Sequence, residues 1–236
     1  LKGERKSIIN DIERDMKKAA KAKEFELAAV CRNKLRALDS LHKQIVFSDR
    51  EFMDMSKDAG LADLSELLGL YKSSKDNKIQ ELDIPKRIEG YDISHMSGTD
   101  TVASMVVFSN GLPDKAAYRK FKMRIPGNDD FAHMREVMAR RLHEKNVKQW
   151  GMPNLYLIDG GKGQLSSALE VLGGHDVKLP AIGLAKQFEE IVIKKDWPHV
   201  NLNFDKVREL NGIVIETDDF WMVNLPNNSH IIKLLQ

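Results

Sequence analysis

A single cysteine, Cys31, occurs among 236 residues. That excludes an internal disulfide framework and a thiolate zinc site, each of which needs several sulfurs. Any metal must therefore rest on oxygen or imidazole ligands. No run of 18 apolar residues occurs, so no membrane-spanning helix is expected. Residues 1–20 are charged and lack the apolar stretch and small-residue cleavage site of a signal peptide. The expected setting is cytoplasmic, with no membrane partner. Large net charge is missing too: the formal value is +2, which points to no partner until its distribution is considered. What is present is enough apolar content, 42%, to build a core, in a length that suits one ordinary domain plus a small one.

The charge is unevenly spread. Between Lys115 and Lys148 ten Lys/Arg face four Asp/Glu, a local basic excess that on charge alone suits a polyanion or an ordinary solvated surface equally. In residues 4–45 apolar side chains recur at helical spacing, first Ile9, Ile12, Met16 and Ala19, then Ala28, Cys31, Leu35, Leu38 and Ile45. Two short helices joined near Lys21–Glu24 bury little between them, so a hairpin of this size calls for a partner or a dimer, the alternative being that it packs on the larger domain. An amphipathic stretch with Leu61, Leu64, Leu67 and Leu68 follows, and then the polar run Tyr71–Gln80, read as linker or exposed loop. Strand texture begins at Arg87–Ser94 and continues through Thr101–Phe108, a turn at Asn110, Gly111 and Pro113, and Ala117–Arg124. A helix is expected over Phe131–Glu144, capped by Asp129 or Asp130, with Phe131, Met134, Val137, Met138 and Leu142 on one face. A buried strand at Asn154–Ile158, a helix at Gln164–Leu172, and strands at Ala181–Ala185 and Ile191–Ile193 complete the order β-β-β-α-β-α-β. An RNase H-like domain requires that order, although other α/β sheets share it.

Two aspartates stand out. Asp92 lies inside a strand-forming run, and Asp159 ends an apolar strand before Gly160 and Gly161. Carboxylates at strand ends in open α/β sheets are rigidly anchored yet reach solvent. On neighbouring strands the two would offer Mg²⁺ or Mn²⁺ a hard-oxygen site able to activate water against a phosphodiester. Taken singly, an aspartate at such a position is more often a turn or cap residue. Asp159–Gln164 (DGGKGQ) lacks the spacing of a phosphate loop, which disfavours nucleotide hydrolysis. Its glycines permit backbone N–H groups to approach an anion, with Lys162 nearby. His95, Asp100, Asp129 and Asp130 are secondary candidates, Asp130 as a metal neighbour or as a helix cap. The candidate DNA contacts are Lys162, Arg140, Arg141 and Lys186, and the basic excess is expected to line the face bearing Asp92 and Asp159.

Residues 90–108 (GYDISHMSGTDTVASMVVF), 126–134 (PGNDDFAHM) and 155–164 (LYLIDGGKGQ) resemble three successive blocks of the UvrC excinuclease endonuclease domain. Residues 24–38 (EFELAAVCRNKLRAL) resemble that family's UVR motif. The resemblance implies an α/β fold, an RNase H-like mixed sheet with flanking helices, preceded by a small helical hairpin. It divides the chain into a UvrB-binding hairpin (1–46), a connecting segment (47–84) and an endonuclease domain (85–236) incomplete at its C-terminus. Carried over by position, Asp92 and Asp159 match metal-binding catalytic aspartates, and Asp130 matches a further aspartate associated with the same incision. The implied activity is a Mg²⁺- or Mn²⁺-dependent cut on the 5′ side of a lesion in double-stranded DNA. It belongs to nucleotide excision repair and the SOS response, in complex with UvrB, which the hairpin would hold through Phe25, Ala28 and Ala29. The alternative is a non-catalytic module that binds UvrB and DNA. The resemblance also places a GIY-YIG nuclease before residue 1 and helix-hairpin-helix motifs after residue 236. It aligns Asn224–Gln236 with the stretch just before a catalytic histidine segment, to which His230 is not equivalent, so this fragment is expected to be impaired as a nuclease.

Overall fold

Alternation of apolar and polar residues through RIEGYDISHM and DTVASMVVFS forms two ten-residue antiparallel strands, β1 (Arg87–Met96) and β2 (Asp100–Ser109). The computed structural model describes residues 12, 14–19, 21, 31, 32, 34, 57–72, 81–96, 100–186 and 189–235. It separates into residues 1–55 and 56–236. In the first unit every described residue is helical and Ala19 is buried. Phe25, Ala28 and Ala29 lie outside the described residues.

In the second unit, Asn110 and Gly111 both take positive φ, 50° and 72°, and close a two-residue hairpin of the kind that matches strand twist. Pro113, expected in that turn, instead ends the short edge strand β3 (Leu112–Pro113), where a missing N–H costs no sheet hydrogen bond. A 3-10 turn at Lys115–Ala117 leads to β4 (Arg119–Lys122), which pairs with the other end of β2. The chain then crosses through α2 (Asp130–Arg141) and α3 (Glu144–Trp150) to β5 (Leu155–Asp159), parallel to β1. It crosses again through α4 (Lys162–Gly174) to β6 (Ala181–Ala185), parallel to β5. The single helix expected over Phe131–Glu144 is thus two. Leu142 caps the first, and His143 turns extended so that its ring nitrogen accepts from Lys145 N–H and starts the second.

The strand expected at Ile191–Ile193, followed by elements that periodicity did not announce, completes the sheet. β7 (Glu190–Lys194) runs antiparallel to β6; α5 (Phe204–Glu209), β8 (Ile213–Glu216), β9 (Phe220–Asn224) and α6 (His230–Leu235) follow. Among the described residues nine strands form one mixed sheet in the order β3-β2-β1-β5-β6-β7-β9-β8, with β4 beside β2. Helices cover both faces. Met134, Val137 and Met138 of α2 with Leu165, Leu169 and Leu172 of α4 pack on Tyr91, Tyr156 and Ile158. The other face, Ile88, Leu157, Leu184 and Ile191, is covered by a helix at residues 57–67 (α1), α5 and α6. The leucines expected in a connecting segment are therefore core: Leu61, Leu64, Leu67 and Leu68 are all buried, at about 1.5–3 kcal/mol each. Lys206 Nζ, itself buried, ties α1 to α5 through Asp63 and Glu66 at 2.9 Å and Glu209 at 3.0 Å.

The side of β1 under α2 carries a buried charge. Glu89 has no exposed surface and accepts from Arg141 Nε and Nη2, both at 2.9 Å, from Arg87 Nη2 at 2.8 Å, and from the Tyr91 hydroxyl at 2.7 Å. Burial raises the Tyr91 phenol well above its ordinary range, and the neighbouring Glu89 charge adds to it. Burial would lower the Arg141 guanidinium, but the hydrogen bonds and charge of Glu89 outweigh it and hold it above its ordinary value. Removing one partner of such a pair leaves a charge stranded in the interior. Arg141→Met should destabilise the chain by about 3 kcal/mol or more, read as a lower urea midpoint. The double change Glu89→Leu with Arg141→Met should recover most of that loss.

Candidate active site

The parallel ladder between β1 and β5 ends at the pair Tyr91 and Ile158. The next residue on each strand is the aspartate: Asp92 and Asp159 stand side by side at the same level of neighbouring strands, which are about 4.8 Å apart. Side chains alternate along a strand, so with Tyr91 and Ile158 in the core under α2 and α4, both carboxylates project to the opposite face. There they line one cleft of about 540 Å³ with Gly90, Ser104, Val106, Leu157, Leu184 and Lys186. Gly90 keeps its floor open, because a Cβ there would come within 2.8 Å of Val106 Cγ2.

Each carboxylate has its own partner. Ser94, two residues on from Asp92 on the same face, donates its hydroxyl to Asp92 Oδ2 at 2.8 Å. Lys186, just past β6, pairs its ammonium with Asp159 Oδ2. The hydrogen bond to Asp159 raises the Lys186 pKa, burial opposes it, and the charges of Asp159 and then Asp92 add to the rise. β6 continues the series: Leu184 pairs with Asp159, and two residues later the same face carries Lys186. The carboxyl ends of three adjacent parallel strands thus deliver Asp92, Asp159 and Lys186 to one place. Gly183 permits the packing behind it, since a Cβ there would come within 2.8 Å of the Gly160 carbonyl oxygen at the Asp159 turn.

The other residues singled out in the sequence go elsewhere. Asp130 begins α2, in the layer across the sheet from the cleft, with its Oδ1 2.6 Å from His95 Nε2; the His95 Nδ1 lies 3.0 Å from the Thr101 hydroxyl. A carboxylate only accepts, so His95 donates to Asp130 from Nε2. Asp129 is the helix cap, accepting from Phe131 and Ala132 N–H at 3.0 Å. Among the described residues no group of three or more His, Cys, Asp and Glu side chains is arranged to hold a metal ion. Asp100 opens β2 opposite Met96. Lys162 starts α4, capped by Gly161 without a side-chain hydrogen bond.

Arg141 corrects an expectation. Expected among the DNA contacts, it is fully buried, with Nε and Nη2 on Glu89 and Nη2 also on the Gly151 carbonyl, so no phosphate reaches it. Arg140 points differently, to the Lys122 carbonyl at 2.7 Å and to Glu136 at 3.1 Å, with its guanidinium over the Phe121 ring. Glu136 in turn is held below the usual carboxylate range: burial opposes this, but the Ile125 and Arg124 amides and Arg140 prevail. The basic excess therefore does not line the aspartate face as a block, because the sheet divides it. Arg135, Arg140 and Arg141 belong to α2 on the far side. Lys120 pairs across β4 with Ser104, which pairs with Asp92, and Lys122 lies likewise in line with Val102 and Ser94. These two exposed lysines are in register with the cleft face. Ser94 was missed entirely, although its position two residues after Asp92 on a strand was a usable signal.

Residues 76–236 match the family described as the UvrC RNAse H endonuclease domain, and residues 6–41 match the UvrB/uvrC motif. The UvrABC system protein C of Chlorobium phaeobacteroides is 36% identical over 211 residues, covering 89% of this chain and 28% of the relative. That of Methanococcoides burtonii is 49% identical over 114 residues, covering 48% of this chain and 19% of the relative. The chain thus spans less than a third of the length of these relatives. Among solved structures, endonuclease V of Ciona intestinalis in complex with a 23mer DNA aligns with 79% of this chain and 86% of its own, at 13% identity and a TM-score of 0.35, too loose a likeness to bear on the site. On the family match over residues 76–236 and the relatives that align with it, this chain belongs to the UvrC family and carries its RNase H-like endonuclease domain.

Proposed function

We propose that this chain is the part of a nucleotide excision repair incision subunit that cuts damaged double-stranded DNA on the 5′ side of a lesion, using Mg²⁺ or Mn²⁺, in complex with UvrB. The observation that carries the reading is the pair Asp92 and Asp159, next in register on parallel strands and lining one cleft. Two adjacent carboxylates repel each other and a phosphate alike unless a cation lies with them. The residues fit such a cation: the donors are hard oxygens, and the site already draws in the Lys186 ammonium. Two carboxylates suffice for Mg²⁺, which keeps water or substrate phosphate in its remaining positions. Bound there, the ion would lower the pKa of a water and offset charge on the phosphodiester.

The chain's own groups do the rest. Ser94 holds one oxygen of Asp92, fixing the carboxylate's rotation. Lys120 and Lys122 offer phosphate contacts on the cleft face, which set the position of the duplex without reading its sequence. Family membership supports the choice of DNA as substrate, and the UvrB/uvrC motif at residues 6–41 supports UvrB as partner.

Three measurements test this reading. Calorimetric titration with Mn²⁺ should show one site on this chain whose affinity falls at least about tenfold in Asp92→Asn, since half the anionic ligand set is lost; in the protein at full length the same change should abolish the 5′ cut. Equal Mn²⁺ affinity in the variant would remove Asp92 from the site. Lys120→Glu with Lys122→Glu should weaken duplex binding for all sequences and reduce the salt slope by about 2, whereas Arg140→Glu should change the slope little. Phe25→Ala should weaken UvrB binding by about 2 kcal/mol, as loss of an aromatic anchor does, with Mn²⁺ binding unaltered.

A further inference from the structure

The two carboxylates of the cleft are held by donors of different kinds, and the difference has a consequence for how the site is loaded. Ser94 gives Asp92 a neutral hydrogen bond on Oδ2. A carboxylate has two oxygens and about four lone-pair directions, so that hydroxyl and a cation can share Asp92. Lys186 is otherwise. Its ammonium sits on Asp159 Oδ2, close enough to Asp92 for that charge to add to its attraction. A divalent cation at Asp159 would meet a positive charge already in place, and like charges at such separations repel strongly where water is partly excluded. The surroundings fit a replaceable occupant. The Asp159 side chain is only 23% exposed, whereas that of Lys186 is 71% exposed on a flexible stem, so the lysine can leave while the aspartate stays.

Resting on the reading of Asp92 and Asp159 as cation ligands, we propose that Lys186 is the resident counter-cation of this site, which balances Asp159 until a divalent ion displaces it and thereby sets the affinity for that ion. The lysine keeps the two aspartates from facing each other uncompensated, and the ion must outcompete it. The exchange is selective by charge: a monovalent ion gains nothing over the covalently tethered ammonium, whereas a divalent ion attracts both carboxylates at once.

Mn²⁺ titration of the whole chain, followed by calorimetry and by the electron paramagnetic resonance of free Mn²⁺, tests the proposal. Lys186→Met should bind Mn²⁺ about tenfold more tightly than wild type, while Lys186→Arg, which keeps the charge, should stay near wild type. The side chain is exposed enough for both variants to fold, which circular dichroism checks. An affinity in Lys186→Met that is equal to or weaker than wild type, while Asp92→Asn still weakens Mn²⁺ binding at least about tenfold, would overturn the role of Lys186 and leave the metal site standing. Absence of Mn²⁺ binding by both wild type and Lys186→Met would overturn both.

Discussion

The architecture turns on one buried carboxylate. Glu89 lies on β1, near the middle of the sheet, with no solvent to stabilise its charge. It is acceptable there only because Arg141 arrives from the last turn of α2, Arg87 from its own strand and the Tyr91 hydroxyl from two residues on. Such an arrangement adds little stability over a well-packed apolar core, because removing both charges from water costs about what their attraction returns. Its effect is on geometry. Arg141 also donates to the Gly151 carbonyl, so the same guanidinium ties the end of α2 to the loop that leads into β5.

That constraint reaches the cleft through strand register. Along β1, Glu89 and Tyr91 face α2, while Ile88, Gly90 and Asp92 face the other way. A slip of one residue would exchange the two sets, sending Asp92 into an apolar layer and Glu89 into the cleft. The bidentate pair with Arg141 opposes that slip, since a guanidinium fork meets a carboxylate in one orientation. β5 is set against β1 by the same ladder, so the adjacency of Asp92 and Asp159 follows from where Glu89 is held.

Gathering charge at the carboxyl ends of parallel strands has a cost, which the cleft meets locally. Asp92 and Asp159 would repel each other and any phosphate, and Ser94 and Lys186 are the groups that answer them. Three of the basic residues between Lys115 and Lys148 are engaged elsewhere: Arg140 and Arg141 brace α2 against the sheet, and Arg135 reaches the Ser167 hydroxyl at 3.2 Å. Local charge density therefore overstates the basic surface of any one face, and strand register places Lys120 and Lys122 on the cleft side.

How much of this was legible depends on the range of the interaction. Strands β1, β2 and β5, helix α4 and the capped start of α2 follow from period-two and period-3.6 patterns and from turn chemistry at Asn110, Gly111 and Asp129, all of which act over a few residues. The sequence blocks around Asp92 and Asp159 carried the family. The short elements α5, β8, β9 and α6 were not legible, because pieces of four to six residues owe their existence to the sheet they join. Arg141 looked like surface charge, although it stands seven residues after Met134 and so on the same buried stripe of α2. By itself the sequence determined which residues are able to bear the chemistry and which segments alternate. Tertiary structure alone decided that Arg141 is buried against Glu89 and that Lys186 closes on Asp159, because each pairing joins side chains far apart in the chain, whose meeting depends on how strands and helices pack.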